Sequence, residues 1–342
     1  MDLWEYLKGA DKPIVLYGMG NGADKIIKVL DEYGIEFKGV FASDGFVRNK
    51  LFHGFPVESY DTLKNRFGQM IVLLCFGTHL PDVMENIKRI AKEQELYAPD
   101  VPVVGDGLLN SHLCQSKRDE LKKVYSLLAD EKSKQTFENI LRYRLSGDVS
   151  FLFDCESDFD EPYESFLKLQ KGESFLDLGA YNGDTALEFA NRCPEYSRII
   201  AVEPDKKTFK KLENNTKELE NIRCVNVCVS DFTGKGHFSM KGGRNSVVGV
   251  GALTEFSTID DILKGENVTL IKMDVEGEEL RAVKGAEKTI LKYKPKMIIS
   301  AYHRTEDFWT LPQAVLEINP EYKVYMRHFP SLPAWDTVYY FM

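Results

Sequence analysis

Twice along this chain a short apolar run leads into a glycine-rich turn and then into a helical pattern. Ile14-Val15-Leu16-Tyr17 enters Gly18-Met19-Gly20-Asn21-Gly22-Ala23, and residues 174–179 enter Ala180-Tyr181-Asn182-Gly183-Asp184-Thr185. Short apolar runs of this kind, bounded by turn signals, read as buried strands, and a strand followed by a helix is the unit of a parallel sheet. The chain therefore reads as α/β, and its 342 residues allow two such sheets.

The first series continues with strand patterns at 37–41 and 71–76 and a helical pattern at 81–94, ending near residue 110. Residues 116–144 are polar, with Leu121, Val124, Tyr125 and Leu128 at helical spacing, and predict a helical connector. The acidic stretch 154–164 reads as a surface loop. The second series is longer: strands at 174–179, 199–203, 225–229, 270–275 and 297–301, with helices at 185–193, 206–219 and 278–291 between them. Two last strand patterns, 323–327 and 337–341, flank a proline-containing loop and predict an antiparallel hairpin on the sheet edge. The expected units are a Rossmann-like accessory domain at 1–112, a connector at 113–168 and a second Rossmann-like domain at 169–342.

Composition narrows the function classes. With 43% hydrophobic and 28% charged residues the chain resembles an ordinary soluble protein. Asp2, Glu5, Lys8 and Asp11 deny the start the basic and apolar regions of a signal peptide. The longest apolar run, 70–76, falls far short of the ~20 residues of a membrane span, so the expected location is cytoplasmic. A net charge of −9 disfavours a nucleic-acid partner. The six cysteines form no Cys-x-x-Cys pair and read as reduced thiols.

The chemistry is concentrated in the second series. Its first strand carries Asp177 and runs into the loop Gly179, Ala180, Tyr181, Asn182, Gly183 to Thr185 at the start of a helix. Open α/β sheets bind ligands at the carboxyl ends of their strands, where glycine lets backbone approach the ligand. The next strand ends in Glu203-Pro204-Asp205, a carboxylate placed for ribose hydroxyls. The third ends in Ser230-Asp231, suited to an adenine edge. A glycine turn alone can be a tight connection and a strand-end acid alone a helix cap; the order of the three carries the cofactor reading.

Residues 115–342 resemble the FkbM-type methyltransferases. The resemblance is carried by 176–185, by Ile271-Lys272-Met273-Asp274-Val275-Glu276-Gly277-Glu278-Glu279-Leu280 with Lys284-Gly285-Ala286, by Tyr302-His303-Arg304 with Glu306-Asp307, and by Tyr325-Met326-Arg327-His328. It implies a seven-stranded class I methyltransferase sheet ending in an antiparallel hairpin. It also implies S-adenosyl-L-methionine as cofactor and methylation of a hydroxyl on a sugar, glycan or natural product, a small-molecule or glycan acceptor.

An alcohol acceptor must lose a proton as the methyl group arrives, so a base is expected near the sulfonium. Asp274 and Glu276, two apart at the fourth strand end, can share a face; Asp274 is the candidate for orienting substrate or base, while Glu276 or Glu278 alternatively caps the next helix. His303, after the fifth strand, is read as a neutral imidazole acting as general base, or positioning the hydroxyl, with Tyr302 beside the substrate; His328 is the reserve. A magnesium ion on Asp274 and Glu276 is set aside because spacing fixes no third ligand, and no metal is expected. The glycine-rich stretch around Arg244, Asn245 and Ser246 is read as a substrate loop closing over the cleft.

In the first series, Gly18-x-Gly20-x-x-Ala23 with Asp44 formally fits a dinucleotide pattern, with His79 as a possible neighbour. Two rival functions follow: an NAD-dependent oxidoreductase using the first domain, and a noncatalytic nucleotide-binding module.

Overall fold

The computed structural model describes residues 2–43, 45, 47, 50–240, 246–248 and 252–342. The first series forms a six-stranded sheet in the order Leu51–Phe52, Phe55–Glu58, Gly39–Phe41, Ile14–Tyr17, Ile71–Leu74, Glu95–Tyr97. All its pairings are parallel except the short edge hairpin, Leu51–Phe52 with Phe55–Glu58. The second series forms a seven-stranded sheet: Val324–His328, Thr337–Phe341, Lys296–Ser300, Leu270–Met273, Ser174–Leu178, Arg198–Val202, Ile222–Val225. Thr337–Phe341 runs antiparallel to both its neighbours, which is the expected terminal hairpin.

Both central strands are buried on two faces, which is why they read as unbroken apolar runs. Alternate residues serve different cores: Val15 and Tyr17 face one cluster, Ile14 and Leu16 another. The first of these clusters also contains Leu176, Leu178, Ile271 and Met273 of the second sheet and Phe137, Ile140 and Tyr143 of the helix Glu131–Ser146. The connector thus packs both sheets into one continuous core.

The structure differs from the sequence expectations in four places. The strand expected at 225–229 divides into Ile222–Val225 and Cys228–Val229, because Asn226 Nδ2 donates to the carbonyls of Glu203 and Pro204 and turns the chain. Cys228–Val229 joins a separate four-stranded sheet with Gly234–Met240, Ser246–Val248 and Ala252–Ser257, which the sequence pattern did not announce; most of the glycine-rich stretch expected as a loop, 241–245 and 249–251, lies outside the described residues. The helix expected at 278–291 is two helices, Glu279–Lys284 and Glu287–Tyr293; the Asp260 carboxylate accepts from Lys288 N and Thr289 N and caps the restart. The acidic stretch 154–164 is anchored rather than loose: the fully buried Arg327 guanidinium binds Glu161 (2.7 Å) and Asp130 (2.8 Å).

The cysteines are all free. Among the described residues no helix is long and apolar enough to cross a membrane.

Candidate active site

The seven-stranded sheet reverses its strand order between Ser174–Leu178 and Leu270–Met273, the place where open α/β sheets take ligands. Gly179 turns the chain there with φ +80, and a Cβ on it would lie 1.9 Å from the Asp274 carbonyl oxygen. Only glycine fits this contact between neighbouring strand ends. The loop then meets the second strand end: Tyr181 N donates to Glu203 Oε2 (3.1 Å) and Asp205 N to Oε1 (2.8 Å). Glu203 is buried. Burial pushes its carboxyl up to about 7 against the opposing pull of these two amides.

Beneath the loop, Asp177 is wholly buried and neither of its carboxylate oxygens has a hydrogen-bond partner. Its nearest cation is Lys272 Nζ at 3.8 Å, and burial pushes its carboxyl up to about 6. Ala180 is buried, with its amide on the Val202 carbonyl. Asn182 Oδ1 accepts from Asp184 N, and Gly183 leads into the helix Asp184–Arg192, whose first turn holds Thr185. Tyr181 presents an exposed ring.

Three other sequence candidates have different surroundings from those expected. Asp205 Oδ1 accepts from Lys207 N, Thr208 N and Thr208 Oγ1, so the helix-cap alternative accounts for it. Ser230 and Asp231 follow the strand Cys228–Val229 of the small sheet rather than a third strand of the large one. Ser230 is buried, and Asp231 pairs with Arg281 Nε at 3.0 Å.

The fourth and fifth strand ends bring a second group together. Asp274 Oδ1 accepts from Tyr302 Oη (3.2 Å), and Lys272 Nζ lies 3.8 Å from Asp274 Oδ2. Glu276, held at φ +55 ahead of Gly277 at φ +92, turns back so that Oε2 lies 3.6 Å from His303 Nε2. Asp274 Oδ1 is 3.5 Å from the same nitrogen, and Glu279 Oε1 is 2.9 Å from Nδ1. His303 itself has no exposed surface. Burial opposes its charged form, but Glu279, Asp274 and Glu276 outweigh that and raise its pKa to about 9. The three carboxylates that converge on it therefore favour its charged form, where the sequence predicts a neutral imidazole.

The reserve candidate, His328, is a core residue in the edge hairpin. Its Nδ1 lies 3.1 Å from Thr337 Oγ1, and burial depresses its pKa to about 3. Glu278 turns toward Arg281 (3.3 Å) and Arg304 (3.8 Å). Glu279, which the sequence reading passed over, accepts from Val275 N at 2.8 Å and is fully buried. Its only sequence signal was its place three residues after Glu276, beside the more conspicuous Glu278.

The first unit touches this rim directly. Val104 N donates to the His303 carbonyl (2.9 Å), and Thr305 Oγ1 donates to the Gly107 carbonyl. The Arg144 guanidinium, buried beneath, binds Asp100 at 2.8 Å. His79 is exposed ahead of the helix Pro81–Glu93. Asp44, Arg244 and Asn245 lie outside the described residues, and Ser246 opens a strand of the small sheet.

Comparison with known proteins agrees with this architecture. The methyltransferase FkbM of Methylobacillus flagellatus KT superposes with a TM-score of 0.75 at 22% identity, over 98% of this chain and 91% of that one, and so shares the fold of both sheets. Weaker likenesses, at TM-scores of 0.34, are to the precorrin-6y C5,15-methyltransferase of Geobacter metallireducens GS-15 (17% identity, 51% of this chain and 81% of that one) and to Aeropyrum pernix fibrillarin in complex with natively bound S-adenosyl-L-methionine (13% identity, 51% and 67%). No curated protein matches the chain. The methyltransferase FkbM domain profile matches residues 177–327, from the buried Asp177 of the first strand to the buried Arg327 of the edge hairpin. Over residues 177–327 the chain is thus similar to the FkbM methyltransferase domain.

Proposed function

We propose that the chain is an S-adenosylmethionine-dependent methyltransferase whose acceptor is a hydroxyl on a sugar, glycan or natural product. The observation that carries this is Glu203: a buried carboxylate fixed by two backbone amides beside the glycine turn at the switch point of the sheet. That fixed carboxylate suits two adjacent ribose hydroxyls as donors. When bound, S-adenosylmethionine supplies an electrophilic methyl group on a sulfonium.

The chain's own residues have separate tasks in this reading. Glu203 accepts from the ribose, and the loop 179–185 packs along the cofactor. Asp177, buried under the loop, holds Lys272 in place. Asp274, on the exposed side of the second group, receives and orients the acceptor hydroxyl, with Tyr302 Oη fixing its carboxylate. His303 and Glu276 set the position of Asp274 from below. Ser230 and Asp231 border the adenine end. Residues 169–342 form the methyltransferase unit, 113–168 the connector, and 1–112 an accessory unit bracing the rim.

The test is incubation of the full-length protein with methyl-labelled S-adenosylmethionine and a panel of nucleotide sugars, glycans and cell extract, followed by mass spectrometry. Labelled product with S-adenosylhomocysteine is the expected result. Absence of cofactor binding by calorimetry would overturn the reading.

A further inference from the structure

We propose that Asp274, Glu279 and His303 form a binding site for one first-row divalent cation, such as Mn²⁺ or Zn²⁺. Each of the three offers one ligand atom, and these atoms lie within 4.8 Å of one another. Ligand bonds of ~2.0–2.2 Å place donor atoms no more than about 4.4 Å apart, so a shift of a few tenths of an ångström in the partly exposed Asp274 brings all three within reach of one ion. One imidazole with two carboxylates is a nitrogen and oxygen donor set suited to Mn²⁺ or Zn²⁺ more than to an all-oxygen ion such as Ca²⁺.

Two buried atoms point to a ligand independently of the acidic cluster. His303 has no exposed surface and its Nε2 makes no hydrogen bond, although it faces Asp274 and Glu276 at 3.5 and 3.6 Å. Glu279 is also wholly buried, and its Oε2 has no hydrogen-bond partner, while Oε1 is held by Val275 N. Buried polar atoms are almost always paired, and unpaired ones mark strain, chemistry or an absent ion.

Charge leads to the same place. Asp177, Asp274, Glu276 and Glu279 surround Lys272 and His303, and Glu278 is turned to Arg281 and Arg304. Four carboxylates against one ammonium and one imidazole leave a deficit that a divalent ion would fill. The turn at Glu276 and Gly277, both at positive φ, carries the chain from Asp274 to Glu279 so that both carboxylates reach one side chain. Asp274 retains 31% side-chain exposure, which leaves the cation an entry path and an open position for an oxygen ligand.

This site does not depend on methyl transfer, and it is tested without cofactor or acceptor. The full-length protein is dialysed against a strong chelator and then titrated with Mn²⁺, with free ion followed by electron paramagnetic resonance. The expected result is one saturable Mn²⁺ per chain, displaced by Zn²⁺. Asp274→Asn and Glu279→Gln should each weaken binding by more than about 100-fold, beyond the ~10–100-fold typical of outer partners, while Glu213→Gln on an exposed helix face leaves it unchanged. Circular dichroism establishes that both variants are folded. Absence of saturable binding at millimolar Mn²⁺, or equal affinity in wild type and folded Asp274→Asn, would overturn the proposal.

Discussion

The two sheets open in nearly the same way and differ in what surrounds the opening. Each central strand ends in a glycine loop at a point where strand order reverses. In each, a glycine is demanded by the adjoining strand end: a Cβ on Gly22 would meet the Cys75 carbonyl oxygen at 2.3 Å, as one on Gly179 would meet that of Asp274 at 1.9 Å. The glycine signature is therefore a packing requirement common to both. The polar groups separate them. In the first sheet Tyr17 Oη contacts Ser43 Oγ (2.6 Å) and accepts from Asn86 Nδ2 (3.0 Å), whose Oδ1 accepts from Arg89 (2.9 Å), so that these side chains are hydrogen-bonded to one another. In the second, Asp177, Glu203, Asp274 and Glu276 converge, and the buried Asp177 carboxylate has an ion pair to Lys272 but no hydrogen bond. A ligand site is marked by polar groups that the fold gathers without satisfying them, more than by the glycine turn.

That contrast is open to experiment. The largest effect is expected at Asp274: Asp274→Asn should lower turnover by ~10²–10⁴-fold, the usual contribution of a positioned acid–base group, with S-adenosylmethionine affinity nearly unchanged. Native-like turnover in the folded variant would erase the distinction between the sheets. Next comes the join between them. Asp100→Asn leaves the buried Arg144 guanidinium without its carboxylate, and should cost about 3–5 kcal/mol, read as a lower denaturant midpoint; an unchanged midpoint would mean that the units are not braced there.

Glu203→Gln removes the charged acceptor of a hydrogen bond worth about 1.5–3 kcal/mol, so calorimetry should show S-adenosylmethionine binding weakened by roughly 10- to 100-fold. The pH dependence follows from the same carboxyl. Its folded-state pKa of about 7 lies above the ordinary value of 4.5, so between these values the folded chain keeps a proton that the unfolded chain has released. Its contribution to stability is complete below pH 4.5 and is lost as pH rises through 7. The ionised form is the better acceptor, so wild-type affinity should rise from pH 5.5 to 8, whereas a Glu203→Gln profile should stay flat. A parallel rise in that variant would assign the dependence to another group.

The smallest effect is expected in the first sheet. Tyr17→Phe opens this hydrogen-bonded set at the cost of about one ordinary hydrogen bond, ~1 kcal/mol, and should leave turnover within about twofold. A large loss of turnover would give the first glycine loop a part in the reaction.

The fold class was readable because parallel strands buried on both faces leave unbroken apolar runs, and the helices between them leave a different period. Residues 14–17 and 174–178 carry that record whatever surrounds them. Glu203 was readable for a similar reason, since a strand end in such a sheet is a defined place. Local sequence also settled the terminal hairpin, through two strand patterns around a short loop. Tertiary contacts decided the rest. Asp205 became a helix cap and Glu203 did not, because the loop amides of Tyr181 and Asp205 reached the latter. Asn226 bent a strand out of the large sheet by bonding to carbonyls more than twenty residues earlier. His303, a neutral base by its sequence alone, is pushed toward its charged form only by Asp274, Glu276 and Glu279, which arrive from another strand end and its turn. An apolar pattern is a property of consecutive residues and survives in the sequence. The state of an ionisable group depends on the field and burial created by residues distant along the chain, and exists only once they are assembled.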